Sequence, residues 1–299
     1  MRTSTIRRVG TGAAVVALMS VAACSGGGDG NSGSGTESKP KAAGAAGVNH
    51  LAALQQIQKK SGTAQSARVE GTTKMGDAVS MKQTGAISWA DGLTGSLTIT
   101  YTGGTMAEQQ GGPKSVEARY FKDAYYADMG KEFAAQSGGK RWVRYAFEDL
   151  AELGGPAGDA MKEQLQKQDP QEGVKALLAA GDVKKVGQED VRGVSATRYS
   201  GTVDVAELTA RNSALDAEQL EALKEQLSAA GVTTQTVDIW VDKDDLLVKK
   251  TERGESALGA FNTTAFYSDY GTAVSVEKPP ASDTADFTEL LKQEGAGLS

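Results

Sequence analysis

The chain has 299 residues, a formal charge of −6 and only 6% aromatic residues, so its core must come mainly from Val, Leu, Ile and Ala. An acidic chain with no basic stripe is disfavoured as a nucleic-acid binder. One cysteine excludes an intramolecular disulfide, and one histidine beside it excludes a zinc centre, so neither metal nor cofactor is expected.

The chain opens with Arg2, Arg7 and Arg8, then runs through small or apolar residues from Val9 to Ala23 before the single cysteine, Cys24. A charged start, a short apolar run and small residues at a cut form an export signal over residues 1–23. The run is too short for a membrane span, which needs ~20 apolar residues. Val21-Ala22-Ala23-Cys24 resembles the lipobox of bacterial lipoprotein signals, and that resemblance implies a diacylglyceryl group on Cys24 as the mature N-terminus. The alternative is ordinary cleavage after Ala23, leaving a free thiol. Arg7-Arg8 makes an incomplete twin-arginine signal. Loss of residues 1–23 takes the formal charge from −6 to −9.

Residues 24–47 are dense in Gly, Ser and Ala and bury too little apolar surface to order themselves. As a flexible coil of ~22 residues this tether spans roughly 25 Å. The expected location is therefore the cell membrane, lipid-anchored on its extracytoplasmic face, with one folded domain over residues 48–299.

Val48 to Lys60 reads as a helix with Leu51, Leu54 and Ile57 on one face, Asn49 capping it and Gly62 following it. From Ser66 the period changes to two. Ser66–Met75, Val79–Ala90, Leu93–Tyr101, Ser115–Lys122, Tyr125–Gly130 and Arg141–Phe147 read as strands. Asp91-Gly92 has the sequence of a type I′ hairpin turn. Leu97, Ile99 and Tyr101 share one face, opposite Thr98 and Thr100. Val116, Ala118 and Tyr120 alternate with Glu117 and Arg119. Gly103–Gly112 reads as a mobile loop.

Glu148 to Ala180 is helical in character. Asp169 and Pro170 predict a helix start, Glu172 a capping box, Val174, Leu177 and Leu178 an apolar stripe, and Gly181 the end. Asp182–Glu189 and Val194–Val203 form strands around an Arg192-Gly193 turn. Asp216 caps a further helix with Gln219 at the capping-box position, Leu215 and Leu220 as a staple, and Gly231 as the stop. Thr234–Asp242 and Leu246–Arg253 form a hairpin, and Phe261–Asp269 with Thr272–Glu277 form a last one around Tyr270-Gly271. Val237, Ile239 and Val241 are expected to point inward, with Asp238 and Trp240 outward on a wet face. About twelve strands with grouped helices predict an α+β fold with an antiparallel sheet. Its apolar face needs a cover, which amphipathic helices such as 49–60 and 216–230 can supply.

Chemistry is sparse. A triad would have to use His50 as base, beside the tether. Gly254-Glu255-Ser256-Ala257-Leu258 puts Leu258 where a nucleophile elbow needs glycine, and reads as a loop. Asp242-Lys243-Asp244-Asp245 resembles the start of a calcium loop, but Leu247 and Arg253 stand at the required Gly and Glu positions. It reads as a charged hairpin tip. No catalytic residue is expected.

The stretches 189–204 and 237–250, Tyr270-Gly271 and the closing 276–280 carry a family resemblance. They resemble the LppX/LprA/LprF/LprG group of actinobacterial lipoproteins and, more distantly, the LolA and LolB carriers, over roughly residues 48–285. The resemblance implies a strongly curved antiparallel half-barrel of 11–12 strands, closed by helices over an apolar cavity. It implies binding of acylated lipids or glycolipids, carried or presented at the envelope without catalysis. The candidate cavity residues are Leu51, Leu54, Ile57, Leu97, Ile99, Tyr101, Tyr120, Val143, Tyr145, Val237, Ile239 and Val241. The residues alone leave open whether these line a ligand or form an ordinary core. The alternative function is an envelope signalling or assembly lipoprotein that uses the same fold to contact a protein partner; an extracellular hydrolase is third. The long loop at 103–112 and the polar stretch at 156–170 depart from the group's pattern.

Overall fold

The computed structural model describes residues 44–109, 114–154, 162, 169–180, 182–208 and 215–296. The expectations for the signal, Cys24, most of the tether, Gly181 and most of 156–170 concern residues outside this set.

One sheet of twelve strands dominates, in the order β12-β6-β5-β4-β3-β2-β1-β11-β10-β9-β8-β7. The strands are β1 Ser66–Met75, β2 Val79–Ser88, β3 Thr94–Gly103, β4 Ser115–Tyr120, β5 Ala124–Asp128 and β6 Trp142–Ala146. β7 Lys184–Val191, β8 Val194–Asp204, β9 Thr234–Val241, β10 Leu247–Ser256, β11 Gly259–Ser268 and β12 Thr284–Asp286 complete it. Neighbours pair antiparallel except β12, which lies parallel to β6. The sheet is not closed: β7 and β12 stand at its two edges.

The helices among the described residues are α1 Gly44–Thr63, α2 Thr105–Gln109, α3 Gly130–Gln136, α4 Phe147–Gly154, α5 Gln171–Ala179, α6 Ala217–Ala229 and α7 Phe287–Ala296. α5 packs on β8 and β9, α1 packs on α5, and α4 and α7 pack on β6. The main core lies between these helices and one face of the sheet, here called the inner face. Leu54, Ile57, Val174, Leu177, Val237, Ile239 and Leu247 are all 0–1% exposed there. Each such side chain contributes roughly 1.5–3 kcal/mol.

Local chemistry explains most of the punctuation. Arg192 (φ 55°) and Gly193 (φ 87°) both adopt the left-handed region, as a type I′ turn between β7 and β8 requires. Asp216 Oδ1 accepts from Gln219 N at 2.8 Å while the Gln219 amide oxygen accepts from Asp216 N, closing the expected capping box on α6. Gly231 (φ 66°) then ends that helix, with Val232 N donating to Leu227 O.

Several expectations are corrected. α1 starts at Gly44, so Asn49 and Gly62 lie inside it rather than at its ends, and the last residues of the supposed tether are helical. Asp91 does not have a positive φ, so the β2–β3 turn is not type I′; Gly92 alone does. The loop after Gly103 contains α2. α5 starts at Gln171, with Asp169 Oδ1 accepting from Gln171 N at 2.7 Å. Glu172 bonds Lys175 instead of completing a box. Thr272–Glu277 is not a strand: β11 turns back from β10 at 256–259 and pairs with β1 on its other side. The last strand is β12, for which the sequence has no period to show.

Candidate functional site

The inner face is built by register. Leu97 stands beside Gly85 and Ala118, Ile99 beside Gln83 and Val116, and Tyr101 beside Met81. Tyr125 pairs with Tyr120 and Tyr145, and Ala127 with Val143. On the far side Val237, Ile239 and Val241 share a face with Gly201, Tyr199 and Thr197 of β8. The inner positions of β1 to β6 carry no charged side chain, because Lys, Arg, Asp and Glu on these strands fall on the alternate positions.

Leu54, Ile57, Leu97, Ile99, Tyr120, Val237, Ile239 and Val241 belong to one packed cluster in which none is more than 9% exposed. Leu51 and Tyr101 pack against its margin. Val143 is buried on β6 and Tyr145 is half-buried there. The β8–β9 side lies under α5: a Cβ on Gly201 would meet Leu177 Cδ2 at 2.9 Å. The β3–β6 side is different in character. A row of rings crosses it, with centroids 5.1 Å apart for Tyr120–Tyr125, 5.7 Å for Tyr125–Tyr145 and 4.7 Å for Tyr145–Phe287. Burial pushes the phenols of Tyr120, Tyr125 and Tyr145 up, so all three are neutral hydrogen-bond donors at physiological pH.

One charged cluster interrupts the inner face, on β10. Lys250 Nζ lies 3.1 Å from Glu252, with both side chains largely buried. Tyr267 and Glu172 also act on Lys250, Asp169 acts on Tyr267, and Lys175 acts in turn on Asp169. Burial works to lower the Lys250 pKa, but the charge and hydrogen bond of Glu252, together with Tyr267 and Glu172, outweigh it and hold the ammonium well above its usual range. Burial, and then the charge of Glu172, pushes the Asp169 carboxyl up. α5 lies directly on this lysine: a Cβ on Gly173 would stand 2.2 Å from Lys250 Cδ. Sequence reasoning missed the cluster because a β-bulge between Leu247 and Lys249 shifts the phase of β10.

The outer face carries Asp238 and Trp240, as expected, but neither is wet. Asp238 is 0% exposed and accepts from Arg198 at 3.0 and 3.1 Å and from Arg253 at 2.7 Å. Trp240 is 4% exposed, donates to Glu189 at 2.7 Å and has Lys249 4.0 Å from its ring. Paired cations and carboxylates, rather than water, cover this face.

The weak catalytic motifs are used structurally. Ser256 Oγ donates to Gly259 O at 2.9 Å within the β10–β11 turn. Asp242 Oδ1 accepts from the backbone N–H of Asp244 and Leu246, both at 2.9 Å, and so shapes its hairpin tip. His50 stands edge-on to Tyr199 at 6.2 Å. A surface cleft of about 270 Å³ lined by Leu93, Phe121, Phe147 and the Asp91–Lys122 ion pair is smaller than ordinary ligand pockets.

No family model matches the chain. Among solved structures it is similar to LprF from Mycobacterium bovis, at 13% identity over 78% of this chain and 98% of that one, with a TM-score of 0.49. It is also similar to the Mycobacterium tuberculosis lipoprotein LppX, at 13% identity over 77% and 99%, with a TM-score of 0.46. Both are named in the group that the sequence resembles. A 31.2 kDa Streptomyces griseus protein encoded between rplA and rplJ is 72% identical over 249 residues, 82% of each chain. A Streptomyces coelicolor protein named as a candidate lipoprotein, SCO4650, is 44% identical over 99% of this chain and 100% of its own length. The chain belongs to the family of these two Streptomyces proteins.

Proposed function

We propose that this protein is a membrane-anchored extracytoplasmic lipoprotein that binds an acylated lipid against the inner face of its sheet and carries or presents it without catalysis. The observation that carries this reading is the uncharged inner face of β1 to β6, crossed by a row of tyrosine rings that runs from the buried Tyr120 to the half-buried Tyr125 and Tyr145. Such a surface offers apolar contact and neutral donors but no acid–base pair. Each acyl CH₂ removed from water there contributes about 0.8 kcal/mol, so a long chain binds without an ionic contact. In this reading the sheet is a strongly curved half-barrel, α1 and α5 close its β8–β9 side, and the acyl chain lies along β3 to β6. Anchoring rests on Cys24 and its lipobox, and is supported by the lipoprotein name of the Streptomyces coelicolor relative. Native mass spectrometry of the full chain, produced in a lipid-containing host, should find bound lipid. Ligand-free protein that takes up no lipid when challenged would overturn the reading.

A second reading, an envelope signalling or assembly lipoprotein, is favoured by the complete burial of Val237 and Ile239, a side of the sheet already filled by protein. It predicts co-purification with a membrane protein partner and no lipid.

A further inference from the structure

The tyrosine row does not end in solvent. Its last ring is Phe287, the first residue of α7, stacked 4.7 Å from Tyr145 at an interplanar angle of 32°. The segment that delivers this ring is lightly attached. β12 has three residues and pairs only with β6, in the sheet's single parallel ladder. Its two side-chain links to β6 and the residue before it are only partly buried: Arg144 to Asp286 at 3.0 Å and the Arg141 N–H to Asp283 Oδ1 at 2.9 Å. α7 has ten residues, is capped by Asp286 accepting from Thr288 N, and leaves Leu291 42% exposed. A helix of that length does not hold itself in water, and terminal elements with few buried contacts open first.

The β8–β9 side is sealed by Val174, Leu177 and Leu178 of α5, all 0–2% exposed. We propose that β12 and α7 form a detachable plug at the β6 end of the tyrosine row, and that Phe287 holds the place a ligand's acyl segment takes when the plug is released. The inference rests on the lipid-binding reading above and adds where the ligand enters. Plug and ligand then exclude one another, so the β6 edge that β12 covers stays free for as long as ligand is bound.

A reversible lock tests this. Val143 and Ala285 face each other across β6 and β12, so Val143→Cys with Ala285→Cys falls within disulfide reach of neighbouring strands. The full chain is used in a Cys24→Ser background, which removes the only other thiol. The probe is pyrene-decanoic acid, its uptake followed by fluorescence. Oxidation should slow uptake at least tenfold and dithiothreitol should restore it. Phe287→Ala, without the lock, should speed uptake severalfold. Equal uptake in the oxidised and reduced forms would overturn the plug while leaving lipid binding intact. Uptake by none of these forms, nor by the parent chain, would overturn the lipid reading and the plug with it.

Discussion

At the scale of single residues, the two buried carboxylates with opposite pKa shifts give opposite pH signatures. Burial works to raise the Asp238 pKa, but hydrogen bonds from Ser200 and Arg198 and the charges of Arg198 and Arg253 hold it below its ordinary 3.8. Its contribution is therefore complete above the unfolded pKa and is lost as the pH falls through the lower folded value. Asp238→Asn should cost ~2 kcal/mol at pH 7, the scale of hydrogen bonds to a charged group. The arginines left behind are 27% and 50% exposed and can rehydrate, which keeps the loss below that of a fully buried pair. The urea midpoint at pH 7 should fall and the acid limb of the stability curve should flatten; an unchanged midpoint would contradict the assignment. Asp169 has the reverse sign. Its carboxyl is raised by burial and by Glu172, so its protonated form favours the fold, and that contribution is lost as the pH rises through the folded value. Asp169→Asn keeps an oxygen for the Gln171 N–H and removes the buried charge. It should melt higher than the parent at pH 7 and alike at pH 3; a lower melting temperature at pH 7 would show that the charge itself holds α5.

At the scale of elements, what the sequence made legible is what is encoded locally. β1 was readable to the residue, and the β7–β8 and β9–β10 hairpins were readable within a few, because alternation and turn residues sit inside each segment. The α6 capping box was readable for the same reason. β12 was not, because a three-residue parallel strand has no period and its partner β6 lies 142 positions earlier, as the Arg144–Asp286 bond records. The inward charge of Lys250 and Glu252 was hidden by the bulge in β10. α5 was recognised as a helix, but which strands it covers was not legible. Its fit depends on one small residue. Gly173→Ala should gain up to ~1 kcal/mol in helix propensity. Its Cβ, however, would stand 2.2 Å from Lys250 Cδ, and that lysine is only 12% exposed and has little room to move. Overpacking of this kind costs ~1–3 kcal/mol, so a net loss in the urea midpoint is expected. A net gain would mean that α5 rides further from the sheet.

At the scale of the whole molecule, the antiparallel α+β class and the inward sides of β3 and β9 were legible, since period two fixes which residues share a face. Whether a helix sits on that inward side was not, because alternation reads the same under a helix and over a ligand. Anchoring is tested apart from the fold: Cys24→Ser should leave the domain folded and move it out of the membrane fraction or leave it unprocessed. One acyl chain binds membranes only marginally, so unchanged retention would remove the diacylglyceryl anchor from the account. The last test separates the two sides of the sheet. Ile239 is 0% exposed in the filled β8–β9 region. Ile239→Trp should therefore cost ~1–3 kcal/mol and lower the melting temperature, while folded molecules still take up the acyl probe. Val116 is half-buried beside Ile99 on the uncharged side. Val116→Trp should change stability by no more than about 0.5 kcal/mol, as at positions with room around them, and should block uptake by filling the volume the chain needs. If Val116→Trp instead unfolds the protein while Ile239→Trp abolishes uptake without loss of stability, the ligand lies on the other half of the sheet and the tyrosine row is core.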